Sequence, residues 1–283
     1  MSFELVAKYT PHVDEAFKAE SKRTILTNTD YDWTGAHSII LWKMSTAPMN
    51  DYARNVTGNT EDITARLTRY GDLYDLDRQT EELILKKDRS FIFNIDRLDE
   101  DETEGGVESA TALSRQLREV VIPEIDKYTY NVMVEKAGTK AEAAALTKDN
   151  IYTSIIAGSK ELDNAEVPDT ERVLILTPDT YNILKQSTTF DHTEISSEMK
   201  RLGVVSVLDG MAVVKIPASR LPEGFGFMIA HPCACTAPVK LEDYGIHHDT
   251  PLASGTIVTG RICYDAFVPE NKAKGIYYQP ITA

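Results

Sequence analysis

From Ser109 to Lys136 the apolar residues Leu113, Leu117, Val120, Val121, Ile125, Tyr128 and Val132 recur at helical spacing, the clearest periodic run in the chain. At 1.5 Å per residue this predicts a helix of about 40 Å, which fixes one long dimension of whatever packs around it. Pro123 lies inside the run. Its missing N–H and its ring crowd the preceding turn, so a bend is expected there.

Upstream, a short helix is expected from Thr10, a capping residue, through Pro11 to Lys22 and Arg23, with Asp14 and Glu15 near its positive end. Its stripe of Val13, Ala16 and Phe17 is too thin to stand alone, so this arm docks on its own body or on a neighbour. A strand-like run, SIILWKM, begins at Ser38. A polar connection then reaches about Gln79, and EELILKKDRSFIFNID reads as a second strand. Its odd positions Leu83, Leu85, Phe91, Phe93 and Ile95 share one face, interrupted by Lys87 and Arg89. Two such strands fit a projection of roughly 30 to 50 Å, and they fit equally a long hairpin folded back on the body.

After Gly138 the pattern is that of one mixed α/β domain. Thr147 is read as the cap of a helix carrying Ile151, Ile155 and Leu162, RVLILT as a buried strand, and Thr177 with Pro178 as the start of a helix through Leu184. VVSVLDGMAVVKIP reads as two strands around Asp209 and Gly210, followed by the strand FGFMIAHPCACTAP. Further on, Val258, Ile262, Tyr264, Ala266 and Val268 alternate with more polar positions. The stretch GRICYDAFVPENKAKGIYY reads as a strand, a lysine-rich turn and an aromatic strand.

Charge and chemistry exclude several function classes. Forty-four acidic against thirty basic residues give a net charge of −14, which offers no electrostatic basis for binding phosphate backbones or anionic membranes. Three cysteines, Cys233, Cys235 and Cys263, suit a reducing compartment, and no window approaches a membrane-spanning length. The chain reads as soluble and made in the cytoplasm.

The acids at 96, 99, 100, 101, 102, 104 and 108 lack the ligand alternation and central glycine of a calcium loop, and read as a solvated turn. HPCAC would set His231, Cys233 and Cys235 on one face of a strand, with His247 and His248 further along, but the spacing matches no familiar zinc pair. No metal, cofactor or catalytic grouping is expected: the chain has no nucleophile elbow, phosphate loop or paired-histidine helix.

Taken in order, WTGAHSIILWKM with NDYAR, DRSFIFNIDRLDEDET, VVIPEIDKY, RVLILTPDTYNIL, LDGMAVVKIP and GRICYDAFVPENKAKGIYY resemble the major capsid proteins of tailed bacteriophages. The resemblance implies an α+β chain with the Hong Kong 97-type capsid fold. It divides the sequence into an N-terminal arm at 1–33, an extended β loop at 34–95, a peripheral domain with a long spine helix at 96–146 and 238–283, and an axial α/β domain at 147–237. The terminal strands would return as a hairpin beside the strand leading into the spine helix.

By the same resemblance the protein is no enzyme. It self-assembles with copies of itself through pentamers and hexamers into an icosahedral shell around phage DNA, in the virion, after assembly in the host cytoplasm. A separate scaffolding protein and a portal are implied as partners, and neither sequence-specific nucleic-acid binding nor a membrane. A bacterial nanocompartment shell of the same fold and a metal-dependent enzyme around His231, Cys233 and Cys235 are the alternative readings. Trp42, Met44 and Tyr52 are candidate interface anchors, and Arg54, Arg66, Arg69, Arg78 and Arg89 candidate partners for acidic groups on the next subunit. The Asn271, Lys272 and Lys274 turn reads as solubilising surface rather than a cross-linking site.

Overall fold

The computed structural model describes residues 21–28, 38–52, 70, 74–75, 78–98, 109–187, 204–248 and 254–282. The chain divides into two compact units, Gly35–Ile84 and a larger body of Met1–Thr34 with Leu85–Ala283.

The smaller unit is an antiparallel ribbon of β1 (Ser38–Met44) and β2 (Arg78–Ile84), with Ser38 opposite Ile84 and Met44 opposite Arg78. The run expected as one strand from 81 to 96 is therefore two. It breaks at Leu85 and Lys86, and β3 (Lys87–Asp96) belongs to the body. Asp265, 2 % exposed, holds the break by accepting from the Lys86 N–H and the Tyr128 hydroxyl, each at 2.8 Å. Alternation alone cannot report such a break, because Leu83 and Leu85 keep the same parity across it.

Two sheets build the body. In the first, β3, β10 (Gly255–Tyr264) and β9 (Val239–His248) pair antiparallel in that order. The long helix packs on it through Val121 and Ile125 against Ile262 and Tyr264. That helix runs as α1 (Ser109–Gln116), a π-helical turn at Leu117–Val121, and α2 (Ile122–Glu135). Where a bend is expected at Pro123, the structure shows a widened turn just before it. Shifting to i→i−5 bonding makes room for the ring and removes the need for the missing donor.

The second sheet has six strands in the order β4, β11, β8, β5, β7, β6. These are β4 (Thr139–Lys140), β5 (Val173–Leu176), β6 (Val204–Leu208), β7 (Met211–Lys215), β8 (Phe225–Ala230) and β11 (Ile276–Pro280). β5 and β8 are buried at every position because both faces are covered, which is why they read as unbroken apolar runs. One face, with Val173, Ile175, Met228 and Tyr278, meets Tyr130 and Met133 of α2 and Leu26. The other, with Leu174, Leu176, Phe227 and Tyr277, meets α3 (Ile151–Asn164) and α4 (Pro178–Gln186).

Local signals explain most boundaries. Thr177 caps α4 by accepting from the Thr180 N–H at 3.1 Å, with Pro178 in the first turn. Asp209 and Gly210 take φ of 50° and 73°, the positive pair that a tight β6–β7 hairpin requires. Thr147 opens a turn rather than capping α3. Its N–H donates to Asn150 Oδ1 at 2.7 Å, and Asn150 occupies the cap position. The arm expected at 10–23 lies mostly outside the described residues. Its end docks on the body, where the Asn28 N–H donates to Cys235 O at 3.0 Å and Leu26 is fully buried.

The terminal strands are no hairpin. β10 does lie beside β3, the strand leading into the long helix, but β11 crosses to the other sheet and pairs antiparallel with β8 and parallel with β4. The six residues from Glu270 to Gly275 form a 3-10 turn that carries the chain across.

Gly255 starts β10 with φ 146°, and a Cβ there would sit 2.1 Å from Ile95 O. Gly255→Ala is expected to cost about 2 kcal/mol through strain and backbone displacement, read as a lower urea midpoint with an unchanged slope.

Candidate assembly surfaces

On the ribbon, strand alternation separates two faces. Ile39, Leu41 and Lys43 are partly buried, and Lys43 Nζ lies 2.9 Å from Glu81 Oε2. The even positions point the other way: Ile40, Trp42 and Met44 are 55 %, 70 % and 67 % exposed, in one row at two-residue spacing. Met49, Tyr52, Tyr70 and Tyr74 are also exposed, with Tyr52 and Tyr70 edge to face at 5.2 Å between centroids. An isolated exposed apolar residue is ordinary, whereas three in one row form a contiguous apolar strip, which is the less common arrangement on a protein surface.

The structure therefore places Trp42, Met44 and Tyr52 together in one unit, all exposed. Arg54, Arg66 and Arg69 lie outside the described residues, and Arg78 is placed by its backbone opposite Met44. Arg89 sits on β3 and forms an ion pair within the chain, its Nε 2.8 Å from Glu124 Oε1 on α2. The same Oε1 accepts from the Tyr264 hydroxyl at 3.3 Å. Burial, with Glu124's charge adding to it, pushes the Tyr264 phenol up to about 12. Of the acidic cluster only Asp96 is described, and it accepts from the Leu98 N–H at 2.9 Å. Residues 99–104 lie outside.

Further apolar exposure on the body escaped the sequence reading. Ile92 and Leu98 are 68 % and 69 % exposed, and Val120 on the π-helical turn is 46 % exposed. Near Val120 a depression of about 180 Å³ opens between β3 and the long helix, lined by Arg89, Phe91, Val120 and Glu124. Ile92 was legible as an even position, opposite the odd face of β3 where Phe91 and Phe93 are partly buried and Ile95 is buried. Val120 was not, because the π-helical turn shifts the helical phase.

His231, Cys233 and Cys235 do not share a strand face as expected. β8 ends at Ala230, and Pro232–Ala234 form a 3-10 turn because Pro232 cannot continue the ladder. The His231 ring accepts from the Cys233 N–H at Nδ1, 3.2 Å away. Cys235 is fully buried and its thiol is pushed up to about 12 by burial. Among the described residues no group of three or more His, Cys, Asp or Glu gathers in a metal-binding arrangement.

His231 is 8 % exposed, and burial holds its pKa below the usual 6.5. A depressed imidazole stabilises the fold fully above the unfolded pKa and loses that contribution as pH falls through the folded one. The thermal midpoint is thus expected to drop between pH 7 and pH 5. His231→Gln, which retains an acceptor but cannot charge, should show a smaller drop.

No family model matches the sequence, and no curated protein matches it. Solved structures do match over nearly the whole chain. A structure from Mycobacterium phage Che8 superposes with a TM-score of 0.74 at 16 % identity, covering 98 % of this chain and 97 % of that one. The capsid structure of the cyanophage P-SCSP1u gives 0.73 at 14 % identity, covering 99 % and 93 %. The asymmetric unit of the bacteriophage PhiM1 mature capsid gives 0.71 at 12 %, covering 98 % and 92 %. The chain has the fold of these phage structures, in keeping with the Hong Kong 97-type architecture that the sequence resemblance implies.

Proposed function

We propose that this chain is the major capsid protein of a tailed bacteriophage, assembling with copies of itself through pentamers and hexamers into an icosahedral shell around DNA. The observation that carries this reading is the full-length likeness to phage capsid structures at closely matched chain lengths. The uncovered row of Ile40, Trp42 and Met44 supports it, since a closed symmetric assembly needs complementary area that one copy alone leaves bare.

In this reading the ribbon is the extended loop and the three-stranded sheet with its long helix is the peripheral domain. The six-stranded sheet forms the axial domain, with β4 and β11 joining it from the flanking sequence. Trp42, Met44 and Tyr52 anchor the loop on a neighbour, and Arg54, Arg66, Arg69 and Arg78 meet its acidic groups, while Arg89 is engaged within its own chain by Glu124. The protein's role is architectural rather than catalytic, and its site of action is the virion, reached from the host cytoplasm with a separate scaffolding protein and a portal. The net charge of −14 suits a wall that must release the DNA it encloses.

Negative-stain microscopy of the concentrated, purified chain tests the reading. Pentameric and hexameric capsomers or closed shells are expected. A strictly monomeric protein under all assembly conditions, including added scaffold, would overturn it.

A further inference from the structure

A cavity of about 150 Å³ opens in the larger body where the end of the arm, α2, β7 and the start of α4 meet. Lys22, Lys215 and Arg220 line it, together with Tyr130, while Pro178 and Pro217 supply apolar walls. The cations come from two segments far apart in a chain that is acidic overall, the end of the arm and the stretch from Lys215 to Arg220. Lys22 Nζ is held at the cavity by donating to Lys215 O at 3.0 Å. Arg220 is oriented by Asp126, which accepts from its Nη1 at 2.8 Å and from Ser21 Oγ at 2.6 Å.

Two donors in this neighbourhood have no acceptor among the described residues: the Tyr130 hydroxyl, on a side chain that is 0 % exposed, and Arg23 Nη1. An unsatisfied buried donor costs about 1–3 kcal/mol, so two in one neighbourhood call for an explanation. The cations also repel one another. Burial first, and then the charges of Lys215 and Arg220, hold the Lys22 ammonium below its usual pKa. Arg23's charge reaches the Tyr130 phenol as well.

We infer that this cavity is a binding site for a small divalent tetrahedral oxyanion of the phosphate class, held by Lys22, Lys215, Arg220 and the Tyr130 hydroxyl. Its volume exceeds the roughly 30 Å³ share of a single water. A tetrahedral oxyanion presents several acceptor oxygens at once, as cations converging from different segments require, and the apolar walls strengthen each charge-assisted bond. With Asp126 already paired to Arg220, a tetrahedral ion still offers acceptor oxygens to both lysines and the Tyr130 hydroxyl at once, which a single carboxylate does not. Pro178 also brings the positive end of α4 to the rim. Because the site joins the arm to α2 and β7, its occupancy fastens the arm's end to the body. This inference is independent of the capsid reading.

The test is thermal unfolding of the full chain at pH 7 in increasing sodium phosphate, with sodium chloride matching ionic strength. A saturable rise in midpoint is expected, with the half-effect at a phosphate concentration at least tenfold below that of acetate. Lys215→Met should raise the phosphate half-effect concentration at least tenfold, and Lys22→Met serves if that variant folds poorly. Tyr130→Phe should raise the midpoint without phosphate, by removing the orphaned hydroxyl, and should shrink the phosphate-dependent gain. A rise that is linear in concentration, equal for acetate, or unchanged in the variants would overturn the assignment.

Discussion

If the proposed function holds, Trp42→Asp is expected to leave the monomer folded and to abolish the assembly into capsomers or shells expected of the natural chain. The indole is 70 % exposed in a single chain, so replacing it costs the isolated fold little. In an assembled shell the same position would lie near the centre of an apolar contact. Aspartate there removes the area of the largest side chain in the row and puts an unpaired carboxylate in a desolvated place. A loss of about 3 kcal/mol per contact corresponds to roughly 100-fold in each contact's equilibrium constant, and a closed shell repeats that contact on every subunit. Trp42→Phe keeps most of the apolar area and should assemble. Circular dichroism establishes that the variant is folded, and sedimentation velocity reads assembly. If Trp42→Asp assembles at the natural concentration, the ribbon's exposed face is not an interface.

Asp126→Ala is expected to produce the largest loss of stability from any single change in the body, about 3–5 kcal/mol. Asp126 is 1 % exposed, and its loss leaves the guanidinium of Arg220, 5 % exposed, without the carboxylate that neutralises it. Lys22 and Lys215 line the same cavity as Arg220 and deepen the penalty. For a body of this size the thermal midpoint should fall by roughly 10 °C. The double variant Asp126→Leu with Arg220→Met should recover most of the loss, because two apolar groups replace an ion pair whose desolvation already consumed much of its attraction. A single variant within 1 kcal/mol of the natural chain would show that water reaches Arg220.

How much of this was legible follows from what each signal measures. Periodicity found the long helix and the all-apolar strands β5 and β8, because burial acts on every residue of such elements. Turn chemistry found Thr177–Pro178 and Asp209–Gly210, since those residues act within one turn. Pairing partners were out of reach. β11 carries nothing local to say that it joins β8 and β4 rather than β10, and the choice rests on side chains more than 40 residues away. The candidate anchors Trp42, Met44 and Tyr52 were legible as residue types, and the exposure of Trp42 and Met44 came only with the register of β1 on β2. The cation-lined cavity could not be read at all, because Lys22, Tyr130 and Lys215 meet only after folding.

The position of β11 also sets an order of events at the ribosome. β8 is apolar at every position, and one of its edges is completed only when β11 arrives, roughly 45 residues later in synthesis, a delay of several seconds at 5–20 residues per second. Through that interval a nascent chain carries a bare, sticky strand edge. Holdase chaperones that shield such edges therefore have a defined window in which to act, and overproduction without them favours inclusion bodies.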